Sequence, residues 1–164
     1  MSAVRASHSV FNVDVVFLAL HVLAASVWVG GTVILVFVAV PLARTLPGET
    51  RGQALRELGR GWRLFGWSAM AVAVFSGIQL AIADGAFDDA DSDFDTVLVV
   101  KIAAVGLLIA GAIVHDFVLG PRLARQIREG RPQTIRRPLV VVGWANLALT
   151  LTVPVLGAAL GHLS

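Results

Sequence analysis

The sequence predicts an all-α integral membrane protein, a bundle of four transmembrane helices. Its 164 residues are 57% hydrophobic and 15% charged, with a mean hydropathy of +0.81, and this profile is typical of membrane proteins. Four apolar runs each reach the length of about 20 residues that a bilayer-spanning helix needs. They lie at about 13–42, 64–83, 96–119 and 139–160. Because the linkers between them are short, we expect residues 1–164 to form one transmembrane domain.

The first run is too long for the apolar region of a signal peptide, which has about 7–15 residues, so we interpret it as a true span. The chain has no cysteine. Disulfides, thiolate metal sites and cysteine-linked haem are therefore excluded. The excess of arginine does not indicate nucleic-acid binding, because the arginines are confined to particular linkers.

The charges of the linkers predict how the chain crosses the plasma membrane. The first and third linkers are rich in arginine, whereas the second, Asp84–Asp95, holds six aspartates. Basic residues in short loops mark the cytoplasmic side, so both termini and the aspartate loop are expected outside. That loop is either a solvated surface or a funnel that collects cations. Residues 48–62 are expected to form a short interfacial helix before the second span.

Lys101 is the only lysine, and it lies inside the third apolar run. His21 occupies a comparable depth in the first run, about 10 Å below Asp14 by the helical rise. Ionisable groups within a membrane span are costly, so they are candidate site residues by default. Two alternatives remain open: Lys101 could extend toward the aspartate loop, and His21 could be a hydrogen-bonded interior histidine.

Two further residues are expected at the same site. Gln79 lies near the outer end of the second span, so His21, Gln79 and Lys101 could share one layer of the bundle. Trp28 lies two turns below His21 on the same helical face and is expected to lie beneath or beside the site. We therefore predict a binding site of His21, Lys101, Trp28 and Gln79, with His21 as the metal ligand and no catalytic residue assigned.

Similar segments in the two halves indicate two tandem helical hairpins. Val40–Arg44 resembles the segment from Gly120 to Arg125, and aligning their prolines places His21 opposite Lys101 and Gly31 opposite Gly111. The even runs also share a glycine–tryptophan pair. A repeat related by an axis along the membrane normal is a known membrane-protein arrangement.

The first run resembles the opening of CopD-like membrane proteins. The segment Leu20–Gly31 is similar to the pattern LH…A…WxGG of that family. Further similar features lie across nearly the whole chain, at Arg63, Phe65, Ser76, Gly77, Phe94, Asp95, Thr96, Lys101, His115 and the segment 120–123. The resemblance implies copper uptake or tolerance through His21 and Lys101, with an extracytoplasmic copper-binding protein as partner. The other expected partners are the lipid bilayer and a second copy of the chain.

His21 and Lys101 also match a more distant group, the HemJ-type protoporphyrinogen oxidase. That resemblance implies haem b bound through the histidine, and a lysine that meets porphyrin carboxylates. The arginine-rich end of the first span in that group is replaced here by Val40–Arg44. Copper ion and haem b both stay open: the family favours copper handling, whereas one imidazole beside one ammonium group suits haem better than Cu(I). A non-catalytic membrane subunit is a third alternative, and any enzyme activity would be haem-dependent oxidoreduction.

Overall fold

The computed structural model describes residues 13–86 and 93–163, and these residues are almost entirely helical. Four of the helices are long and apolar enough to cross a membrane: Val13–Arg44, Gly48–Ala83, Asp93–Arg128 and Arg136–His162. No strand occurs in these two stretches. The prediction of an all-α bundle of four transmembrane helices is therefore confirmed.

The two odd spans are each built from an α-helix, a π-helical segment and a second α-helix. The first span consists of α1 (Val13–Ile34), π1 (Leu35–Ala39) and α2 (Val40–Arg44). The third span consists of α4 (Asp93–Ile113), π2 (Val114–Leu119) and α5 (Gly120–Arg128). A proline, Pro41 or Pro121, follows each π-helical segment after one intervening residue. Proline lacks an N–H and its ring clashes with the carbonyl four residues back, so the wider π-turn lets the helix continue past it.

The two even spans are single α-helices, α3 (Gly48–Ala83) and α6 (Arg136–Leu163). The prediction of a separate interfacial helix at 48–62 is wrong, because these residues are the first turns of α3. No proline interrupts α3 after Pro47, and single glycines cost a helix only about 1 kcal/mol each. α6 continues through Pro154, which lies in its last third.

The spans pack as two antiparallel hairpins. α1 packs along α3, and α4 packs along α6. Trp28, Met70, Leu108 and Ala112 form a buried cluster where the hairpins meet. We call the end of the bundle with Asp14 and Asp84 the acidic end, and the end where the arginine-rich linkers lie the basic end. Residues 1–12 and 87–92, with His8 and three of the loop aspartates, lie outside the described part.

The correspondence seen in the sequence recurs in the fold. Adding 80 to the residue numbers of π1 gives 115–119, which falls within π2. Ala24 and Ala104 are related by the same shift, and both are buried. Trp28 and Leu108, also equivalent, are both buried in the central cluster. The two hairpins therefore place equivalent residues in equivalent positions around the centre of the bundle.

Candidate functional site

A cavity of about 950 Å³ opens between the hairpins in the acidic half of the bundle. All four spans contribute to its wall, and both His21 and Lys101 line it. Most of the wall is aliphatic, while Asp14 and Asp84 lie at the rim. Its volume is at the upper end of the range of about 300–1,000 Å³ typical of small-molecule and cofactor sites. The two ionisable residues that the sequence singles out are thus brought to one ligand-sized space.

His21 is held against α3 by a hydrogen bond. Its Nδ1 lies 2.7 Å from the carbonyl oxygen of Ala73, and because a carbonyl only accepts, Nδ1 donates the hydrogen. The ring rests on Gly77, where a Cβ atom would come within 2.8 Å of the His21 Cε1. Ser76, fully buried beside it, directs its hydroxyl to the carbonyl of Val72 at 2.6 Å. In the neutral ring Nε2 is consequently the unprotonated nitrogen, the form in which histidine binds a metal.

Lys101 occupies the corresponding position in the second hairpin. We call each of these positions, His21 against Gly77 and Lys101 against Gly157, a slot. The Nζ of Lys101 lies 3.5 Å from where a Cβ on Gly157 would be, so the ammonium group rests on the bare backbone of α6. Lys101 and His21 line the same cavity. The ammonium group makes no hydrogen bond or ion pair with a residue in the stretches 13–86 and 93–163. A cationic donor is therefore available to a ligand in the cavity.

Trp28 lies behind the cavity wall rather than in it. The indole is 7% exposed and belongs to the buried central cluster. Its Nε1 donates a hydrogen bond of 3.4 Å to Oγ1 of Thr150, and Thr150 lines the cavity. Trp28 thus supports the bottom of the cavity through Thr150. In the sequence this threonine lies four residues before Pro154, but nothing there indicates that it would meet Trp28.

Gln79 does not join the other predicted site residues. It is half-buried on α3, and the cavity is lined instead by its neighbours Gly77, Leu80 and Ala81. The layer of His21, Gln79 and Lys101 expected from depth alone is not formed. The depth of a residue along a helix does not determine which side of the helix it lies on. His162 is exposed at the acidic end and does not line the cavity either.

A second polar cluster lies toward the basic end, in π2. The Oδ1 atom of Asp116 accepts a hydrogen bond of 2.8 Å from Nδ1 of His115. Its Oδ2 accepts one of 3.2 Å from Nε1 of Trp67. Arg63 also approaches the Asp116 backbone carbonyl at 3.4 Å. This cluster ties π2 to α3 and is separate from the cavity, none of whose lining residues belongs to it.

Among residues 13–86 and 93–163, no group of three or more histidine, aspartate or glutamate side chains is placed to hold a metal ion. Comparison of the chain with protein-family models, with characterised proteins and with solved structures gave no match. The functional argument therefore rests on the cavity and on the residues around it.

Proposed function

We propose that this protein binds haem b in the cavity between its hairpins and serves as a membrane redox protein. The observation that carries the proposal is the hydrogen bond from His21 Nδ1 to the Ala73 carbonyl, which leaves Nε2 as a free ligand atom at the cavity wall. Haem iron is commonly held by one axial imidazole. A membrane protein with one well-oriented histidine in a large apolar cavity has the minimum set of groups for this cofactor.

The rest of the cavity fits the same cofactor. Its wall is mainly aliphatic, which suits the macrocycle, and its volume of about 950 Å³ suits a large ligand. Lys101 supplies a cation at the wall, and carboxylate side groups such as propionates form charge-assisted hydrogen bonds with ammonium groups. When bound, haem b supplies one-electron redox chemistry.

The chain's own residues have distinct tasks in this proposal. The Ala73 carbonyl keeps the proton on Nδ1 of His21, and Gly77 leaves the space in which the ring stands. Lys101 neutralises a carboxylate of the ligand. Apolar side chains such as Val22 and Leu98 line the wall and limit the access of water.

Copper handling is the second candidate. Two carboxylates, Asp14 and Asp84, lie at the cavity rim, where they would raise the local concentration of cations. The CopD-like features of the sequence favour the same reading, with His21 as the ligand and an extracytoplasmic copper-binding protein as the partner. Lys101 weakens this candidate, because its positive charge at the same wall disfavours a bound cation.

We further propose that the protein resides in the plasma membrane with its acidic end and both termini outside. The arginines of the described residues, from Arg44 to Arg63 and from Arg122 to Arg137, support this orientation. On this basis the cavity opens toward the external side.

The deciding experiment is an oxidised-minus-reduced absorption spectrum of the purified protein, expressed with adequate haem supply. We expect a haem band that shifts on reduction and is lost in His21→Ala. His162→Ala is the matched control, because His162 is exposed and outside the cavity wall. A featureless spectrum of the unaltered protein would refute haem binding. Stoichiometric copper that disappears in His21→Ala would then establish the second candidate.

A further inference from the structure

The cavity extends well below the layer of His21 and Lys101. Along α1 its wall runs from Asp14 to Val29, and Val29 is about 12 Å deeper than His21 by the helical rise. We call this deeper part, lined by Ala25, Val29, Thr150, Val153 and Pro154, the lower chamber. Neither His21 nor Lys101 belongs to the lower chamber, so its own lining decides what can bind there.

Thr150 gives the lower chamber an unusual polar floor. The side chain is 1% exposed, and its Oγ1 accepts the hydrogen bond of Trp28. Four other hydroxyl side chains in the spans donate to the carbonyl four residues earlier: Ser26, Ser68, Ser76 and Thr152. Thr150 makes no such bond to any residue of the described stretches, so its hydroxyl hydrogen is free to be donated.

Pro154 adds an acceptor at the same place. In an α-helix the carbonyl of Thr150 would accept a hydrogen bond from the backbone N–H of residue 154, and proline has none. Thr150, which lines the chamber, therefore has one free donor, its hydroxyl hydrogen, and one carbonyl without its usual helical partner, both uncharged. Unsatisfied polar groups are expensive inside a membrane, so a ligand oxygen that meets them gains free energy.

The cavity above the lower chamber is accessible from the side of the bundle. α1 packs mainly on α3 and α6 mainly on α4, whereas α1 and α6 touch at few points. Leu18 and Val22, on the α1 wall of the cavity, are 52% and 53% exposed. Across from them α6 presents small residues, Gly157 and Ala158. The cleft between α1 and α6 thus faces the hydrocarbon region, from which a lipid-soluble molecule can enter.

We propose that the lower chamber binds a lipid-soluble quinone or quinol, with one ring oxygen at Thr150. Such an oxygen accepts from the Thr150 hydroxyl in the quinone, and in the quinol it also donates to the Thr150 carbonyl. Lys101 rests on Gly157, about 10 Å from Thr150 along α6, so no cation of the described residues stands at the floor to select a carboxylate. The preference for a quinone over other neutral lipids rests on the proposed redox function, whereas binding at Thr150 does not require haem.

The test is a titration of the purified protein with a 1,4-benzoquinone that carries a short alkyl tail, followed by quenching of tryptophan fluorescence. Trp28 contacts Thr150, so a ligand at the floor lies close to an indole. We expect saturable quenching, and Thr150→Val should weaken the affinity about tenfold through loss of the hydroxyl. Thr150→Ser should restore it. Val153→Phe should prevent binding by filling the chamber.

Thr152→Val is the matched control, because Thr152 is exposed and its hydroxyl already bonds to Ala148. Non-saturable quenching that is equal in all variants, or unchanged affinity in Thr150→Val, would overturn the proposal. Equal competition by an aliphatic alcohol of the same tail length would overturn the assignment to quinones. The titration of His21→Ala separates the two proposals: Thr150-dependent binding there, without any haem band in the parent protein, would retain the chamber and refute the haem function.

Discussion

The first hairpin fixes its buried ionisable side chain by a hydrogen bond, whereas the second leaves the equivalent side chain without one among the described residues. His21 donates to the Ala73 carbonyl at 2.7 Å, while Lys101 only rests beside Gly157. Each stands against a glycine of its partner helix, Gly77 or Gly157, and these glycines are again 80 residues apart. The same backbone slot therefore holds a hydrogen-bonded imidazole in one half and, in the other, an ammonium group without a hydrogen bond to the described residues.

Toward the basic end the difference between the hairpins is reversed, because there the second hairpin has the hydrogen-bonded side chains. π1 is wholly apolar from Leu35 to Ala39, whereas π2 carries His115 and Asp116 in a hydrogen-bonded cluster. The π-helical geometry is thus explained by the prolines that both spans share and not by the polar residues that only one has. The two hairpins therefore share a backbone geometry while their side chains differ in chemistry.

The largest contrast between the hairpins is expected at the two glycines of the slots. Gly77→Ala would place a Cβ within 2.8 Å of His21 Cε1 and displace the ring from Ala73, so we expect cofactor occupancy to fall more than tenfold. Gly157→Ala would bring a Cβ only to 3.5 Å from Lys101 Nζ, an ordinary contact. Spectroscopic titration with haem measures both, and equal losses in the two variants would contradict a special role for the His21 slot.

Lys101→Met tests the weaker half of the site. We expect an approximately tenfold loss of affinity for haem, because one charge-assisted bond to a carboxylate is removed. The thermal stability of the ligand-free protein should be unchanged or higher, since an ammonium group within a span is costly and methionine is not. Unchanged affinity would show that the lysine does not contact the ligand. Arg122→Met, at an exposed position of α5, serves as the control for loss of a positive charge.

The equivalent glycines Gly31 and Gly111 extend the comparison of the hairpins to the packing between their helices. A Cβ on Gly31 would collide with the Trp62 ring, and one on Gly111 would collide with Asn146. Trp62 packs against Trp28 with ring centroids 5.7 Å apart and has little freedom to move. We expect Gly31→Ala to lower the free energy of unfolding by about 1–3 kcal/mol, and Gly111→Ala to lower it less because Asn146 is shorter and can rotate. Equilibrium unfolding in detergent checks the order, with Gly30→Ala as the unhindered control.

The number of spans could be predicted from the sequence because membrane length and apolarity set it almost alone. His21 and Lys101 could be chosen because charges within spans are rare. Gln79 could not be placed correctly, since the face that a residue presents depends on how the helices rotate against each other. A hydrogen-bonded interior His21 is one of the alternatives that the sequence leaves open, but Ala73 could not be chosen as its partner, because the acceptor is a backbone carbonyl that every residue has.

The polar cluster of π2 should contribute to stability rather than to ligand binding. Asp116→Asn weakens the bond that His115 donates and replaces the acceptor of Trp67, so we expect a loss of about 1 kcal/mol in the free energy of unfolding. Haem affinity should stay unchanged, because none of these side chains lines the cavity. Trp67→Phe removes the indole donor while keeping a ring beside Phe117 and should show a similar loss. A fall in haem affinity without a fall in stability would instead mean that the basic half of the second hairpin communicates with the cavity, through the contact of Trp67 with Trp28.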